Sequence, residues 1–227
     1  MTSRLQLRIV VPDLQHRGGT VQVRPVIDGR DILEVFPEGP GAQPEKLLAP
    51  DGPLTAAAQP HEVCLATAKC TEECCGALYV SIRRDGDQVV WGAWRNPDDE
   101  ALELPEFRFD AAEYDRELRD AGADTSWEWP ARTVARLLGQ RLREEPGLLA
   151  RWDCELHAVV AWPWQRDDVT VLFFHPGLPA AGESWPWQQF KLNLPVGHGD
   201  PADEVARLVD QLVTTDPRQA GQRCGGG

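Results

Sequence analysis

The sequence predicts an α+β fold, mainly antiparallel sheet with about three helices packed on it. Alternating apolar and polar runs recur along the chain, joined by links of turn length. An Asp85-Gly86 pair sits between two such runs, the residue pair that a two-residue hairpin turn prefers. The segments with helical spacing are grouped and do not alternate one for one with strands, which argues against a parallel doubly wound sheet.

Residues 5–11 alternate and are ended by Pro12, and residues 20–29 alternate again before Asp28-Gly29 marks a turn into Ile32, Leu33, Val35 and Phe36. Residues 37–60 are rich in Pro, Gly and Ala and read as an irregular surface loop, with one helical turn near 45–48. Runs 77–84 and 87–94 form the hairpin. In that register Ile82 faces Val89, Val80 faces Trp91 and Leu78 faces Ala93, so this side is the buried one.

Phe109-Asp110-Ala111-Ala112-Glu113-Tyr114 then combines an N-cap aspartate, a capping-box glutamate and a Phe109–Tyr114 staple. The helix it starts runs to about Gly122 and buries Tyr114, Leu118 and Ala121. A second helix starts at Pro130, with Val134, Leu137, Leu138 and Leu142 on one face, and ends before Pro146. Strands at 156–162, 169–174 and 188–194 follow. The last helix opens at Asp200-Pro201, places Val205, Leu208, Val209 and Leu212 on one stripe, and stops before Pro217. Residues 1–217 read as a single α+β domain, with a composition change at 121–125 that allows two lobes, 1–122 and 123–217. Residues 218–227 read as a flexible glycine-rich tail.

The formal net charge is −13, which argues against nucleic acid or anionic membrane as partners, because both require a positive field. A basic protein partner fits it. Neither a signal peptide nor an apolar run of spanning length is present, so a cytoplasmic location with reduced cysteines is expected.

Four of the six cysteines fall within twelve residues: Cys64, Cys70, Cys74 and Cys75. Their spacing is Cys-x5-Cys-x3-Cys-Cys, with His61 three residues ahead of Cys64. Zinc takes thiolates and imidazole in a tetrahedron, so Cys64, Cys70, Cys75 and His61 form a candidate metal set. Against this, the paired Cys-x2-Cys knuckles of zinc ribbons are missing. Three readings stay open: a zinc site, a redox-responsive thiol group, or inert packed thiols.

Cys154 and His157 stand three apart at a strand start and face opposite sides, which disfavours a catalytic pair. His175 and His198 fall in loops and have no assignable partner. Trp127/Trp129, Trp162/Trp164 and Trp185/Trp187 are W-x-W pairs. On a strand each pair presents two rings on one face, suited to a ligand or partner; the competing reading is edge packing beside Pro130, Pro163 and Pro186. Asp98-Asp99-Glu100 and Glu72-Glu73 read as solvated loop charge. No phosphate-cradling loop, G-x-S-x-G elbow or H-E-x-x-H pair is present. The closing Gly225-Gly226-Gly227 matches the exposed glycine tail of ubiquitin-like carriers only in those residues.

Three segments, DGRDILEVFPEGPGAQPEKLLAPDGPL, EVCLATAKCTEECCGALYVSIRRDGDQVVWGAW and SWEWPARTVARLLGQRL, resemble a family of uncharacterised proteins from high-GC bacteria. The likeness extends over much of residues 24–145. The family's cysteine region resembles C-x-C-G-x-x-x-C-G; Cys70 and Cys75-Gly76 match it, while Ala68 replaces the first cysteine. The resemblance implies no activity. The chain is therefore read as an acidic, non-catalytic protein-binding module of the immunity or antitoxin kind. The alternatives are a metal-binding or redox-responsive cysteine module and an enzyme of unfamiliar type.

Overall fold

The computed structural model describes residues 2–13, 15, 18–69, 76–99, 101–179 and 183–227. It has the expected α+β architecture, mainly antiparallel sheet, and it divides into two compact units, Met1–Trp127 and Glu128–Gly227. The composition change at 121–125 lies just ahead of that division.

The first unit begins with β1 (Leu5–Val10), β2 (Gln22–Ile27) and the short β3 (Arg30–Asp31). Asp28 and Gly29 both take positive φ, as the tight β2–β3 turn requires. A 3-10 turn (Ile32–Val35) and a single turn of helix, α1 (Pro44–Leu47), lead to β4 (His61–Thr67), β5 (Ala77–Asp85), β6 (Gln88–Arg95) and β7 (Phe107–Asp110), paired in that order. The two sheets meet at both margins. Ala42 accepts from the N–H of Val23 at 2.9 Å and donates to Leu65 at 2.7 Å, joining β2 to β4. At the other margin the N–H of Ser3, just ahead of β1, donates to Arg108 on β7 at 2.7 Å. The strands thus wrap one core that includes Leu7, Val23, Leu65, Leu78, Val80, Ile82 and Trp91. Helix α2 (Ala111–Ala123) packs on β1, with Asp110 accepting from the N–H of Glu113 at its start. It buries Tyr114 fully and Leu118 and Ala121 in part.

The β5–β6 turn corrects the expected register. The loop residues are Gly86 and Asp87, not Asp85 and Gly86, because Gly86 takes φ +62°, the left-handed conformation a glycine supplies without strain. Ile82 consequently pairs with Trp91 and Arg84 with Val89. The slip is two residues in the partner strand, so it keeps every side chain on its expected face, and Leu78, Val80, Ile82, Val89 and Trp91 are all fully buried. A bulge between Tyr79 and Ser81 then reverses the alternation. Ala93, at φ +44°, leaves the core face and is exposed.

The second unit contains α3 (Pro130–Glu144), a helical turn α4 (Gly147–Ala150), β8 (Glu155–Val160), β9 (Asp168–His175), β10 (Gln188–Pro195), α5 (Pro201–Thr214), a helical turn α6 (Pro217–Ala220) and β11 (Gln222–Gly226). The sheet order is β11-β10-β9-β8, all antiparallel. Helix α3 packs on β8, β9 and α5, burying Val134, Leu138 and Leu142, while α5 buries Leu208 and Leu212. Residues 222–226, expected to be a flexible tail, instead form an edge strand on β10. Strand addition is driven by main-chain hydrogen bonds, which glycines make as well as any residue, so burying side chains is not required.

Candidate functional site

Of the proposed metal set, Cys70 and Cys75 lie outside the described residues, as do Cys74, Glu72 and Glu73. His61 and Cys64 both sit on β4. His61 shares the parity of the core-facing Val63 and Leu65, whereas Cys64 lies on the opposite face. The His61 Nε2 lies 2.7 Å from the Pro53 carbonyl oxygen. The Cys64 thiol donates to the Ala66 carbonyl and meets the Thr67 hydroxyl, each at 3.4 Å. The structure does not bring these two side chains together. Among the described residues, no His, Cys, Asp or Glu side chains are grouped so as to hold a metal ion.

Titratable side chains do gather in the second unit, around His175. Its Nδ1 lies 2.9 Å from the Asp153 carbonyl oxygen, and an Arg218 amino group lies 2.9 Å from its Nε2. Arg218 in turn forms a two-pronged pair with Asp216, at 2.9 Å and 2.7 Å. Hydrogen bonds from Arg218 hold the Asp216 carboxyl below its ordinary range. Cys154 adjoins this group but is buried, and burial pushes its thiol up to about 11. It donates to the Trp152 carbonyl at 3.4 Å and stays protonated at neutral pH, so it is no ready nucleophile. The cluster ties α6 to β9 and to the start of β8. His157 sits at a bulge of β8, with its ring 4.9 Å from that of Phe174.

None of the tryptophan pairs lies on a strand. Trp129 is the N-cap of α3 and is buried, with the Arg166 guanidinium 5.4 Å from its ring. The Trp127 indole N–H donates to the Asp124 carbonyl at 2.8 Å. Trp162 and Trp164, in the β8–β9 turn, stack on each other at 5.0 Å. Trp185 donates to the Gly177 carbonyl at 2.8 Å, and Trp187 meets Phe174 edge-on at 5.4 Å. The prolines beside these rings turn the chain away from strand geometry; Trp129 is buried and the other five rings are partly exposed.

The acidic surface has a definite location. Ten of the thirteen net negative charges belong to residues 1–127. On α2, Glu113, Glu117 and Asp120 follow helical spacing, and Asp124 caps the end, forming one stripe. That stripe borders a groove of about 670 Å³ between α2 and β1, whose opposite wall includes Arg4, Gln6 and Asp28. A second hollow of about 320 Å³ continues it past Asp110 and Glu113 to Arg116. The floor is the buried Leu5 and Leu7. Asp28 is held below the usual carboxylate range by the Arg4 backbone N–H and the Ser3 hydroxyl, and Asp124 by the Ser126 hydroxyl and N–H. Six carboxylates therefore line the combined groove against two arginines. Sequence spacing alone shows the helical stripe; the strand wall depends on the long-range placement of β1.

No protein-family model, curated protein or solved structure matches the chain.

Proposed function

We propose that the protein is a non-catalytic binding module that takes a basic segment of a protein partner into the groove between α2 and β1. The observation that carries this reading is the stripe of Glu113, Glu117, Asp120 and Asp124 facing Asp28 across the groove. Lysine and arginine side chains suit such a trough, because their long stems carry the charged ends to carboxylates on both of its walls. Such masking of a basic partner is the mode of an immunity or antitoxin-like protein. The Cys154–His175 cluster adds no competing chemistry, since its thiol is protonated and its arginine is committed to Asp216.

The test uses an arginine-rich peptide titrated into the full chain by calorimetry, together with co-purification from the native host. Reversing Glu113, Asp120 and Asp124 to lysine should weaken peptide binding by at least about tenfold, the effect of losing some 1.4 kcal/mol. Reversing Glu144, Glu145 and Asp203 in the second unit should cost much less. Equal losses from the two sets would defeat the reading, as would repeated isolation of a partner-free, catalytically active protein.

A further inference from the structure

The last strand is held in an unusual way. In β11, Gln222, Arg223 and Cys224 are exposed, and the rest is glycine, so the strand buries no apolar side chain. It is attached by main-chain pairing with β10, extended by reciprocal bonds between Trp187 and Gly227 at 3.0 and 3.1 Å. The pairing is interrupted between Gln189 and Phe190, where Cys224 has no opposite number. Its end is tightly packed against Trp187. A β-carbon on Gly227 would lie 3.0–3.2 Å from the Trp187 indole, and one on Gly226 would lie 2.9 Å from the Trp187 carbonyl oxygen. Just ahead of the strand, the chain is fixed: Pro217 is buried and Arg218 is clasped by Asp216 and His175. A single residue, Gly221, separates helical turn α6 from β11.

We infer that the outer edge of β10 is an exchangeable strand site, and that its second occupant is β11 of another copy of this chain. The site favours small residues where the incoming backbone passes close to the indole of Trp187. Gly225–Gly227 is the sequence's only run of three glycines, so a second copy carries the matching segment. Exchange preserves every hydrogen bond that β11 makes within one chain. Its cost is the entropy of association, and it is eased by opening a one-residue hinge, the connection that favours swapping. The clasp at Arg218 keeps the rest of the unit in place while the strand changes partners.

The experiment is light scattering on the full chain over a wide concentration series, with a thiol reductant present so that no Cys224–Cys224 disulfide contributes. Isotope-labelled and unlabelled protein are also mixed and followed by native mass spectrometry. The expected result is a dimer that grows with concentration and exchanges slowly into mixed pairs. Inserting three residues after Gly221 relaxes the one-residue hinge and should lower the dimer association constant by about tenfold or more. Deleting residues 222–227 removes the exchanged strand and should abolish the dimer, with the circular dichroism of the folded chain retained in both variants. A monomer at all concentrations overturns the inference. So does a dimer that persists undiminished in both variants. Neither readout involves the basic peptide, so the outcome is independent of the acidic groove.

Discussion

Glu117 and Leu7 stand 110 residues apart in the chain, and the Glu117 carboxylate accepts the backbone N–H of Leu7 at 2.6 Å. The side chain does for the outer edge of β1 what a neighbouring strand would otherwise do. It also presents its negative charge to the groove. These two roles are separable by mutation.

Glu117→Gln keeps an acceptor oxygen and loses the charge. Glu117→Ala loses both and leaves a part-buried N–H without its acceptor. Urea unfolding should show the alanine variant less stable by about 1–2 kcal/mol and the glutamine variant within about 0.5 kcal/mol of the parent. Both should bind a basic peptide more weakly. If glutamine and alanine destabilise equally, the hydrogen bond has no structural part.

A second prediction concerns the core. The Trp91 indole N–H donates to the Tyr114 hydroxyl at 3.2 Å, and that hydroxyl donates to the Leu54 carbonyl at 2.7 Å. All of this lies inside the first unit's core, and burial raises the Tyr114 phenol far above its usual range. Tyr114→Phe leaves an indole donor and a carbonyl acceptor unsatisfied together, and should lower unfolding free energy by about 1–3 kcal/mol. Denaturant titration followed by tryptophan fluorescence measures it. A change below about 0.5 kcal/mol would mean that water replaces the phenol.

How much of this was legible in advance follows from the range of each interaction. Asp110, Glu113 and Pro130 place their helices because capping is settled within a few residues. The buried faces of β5 and β6 were legible because a slip of two residues preserves alternation, whereas the bulge that expels Ala93 leaves no local signature. Strand β4 was obscured by its own chemistry. His61 and Cys64 invite a ligand reading, yet Val63 and Leu65 between and beyond them make the segment a strand with alternate faces. The helical spacing of Glu113, Glu117 and Asp120 stood in the sequence unread, and β1 as their opposite wall required a contact spanning 110 residues. Of the two readings of the Trp-x-Trp pairs, the face of paired rings required strand geometry, and none of the pairs lies on a strand.

A third prediction tests the buried thiol. Cys154 is enclosed and its thiol is raised to about 11, whereas Cys224 is exposed on β11. Burial favours the protonated form, so its stabilising contribution is complete below the ordinary cysteine pKa of about 8.5. It is lost as pH climbs from there through about 11. With a disulfide reagent near pH 8, Cys224 should react rapidly in the folded protein and Cys154 only after denaturant is added. Rapid labelling of Cys154 in the native state, read by peptide mass spectrometry, would contradict the burial.

The last prediction concerns acid. Asp216 is held below its ordinary carboxylate pKa mainly by side-chain hydrogen bonds from Arg218, and its backbone bond with the Arg218 N–H adds to this. A carboxyl depressed in the folded state contributes stability that is complete above the unfolded pKa of about 3.9 and disappears as pH falls through the lower folded value. Asp216→Asn keeps the shape and a hydrogen-bond acceptor but removes the charge that Arg218 requires. The stability gap between parent and variant should be constant from neutral pH down to about pH 5. Below that it should shrink, because protonation makes the parent resemble the variant. Urea midpoints for the two proteins across the acid range measure the gap. A gap that widens on acidification would mean that the Asp216–Arg218 pair is not what holds this cluster together.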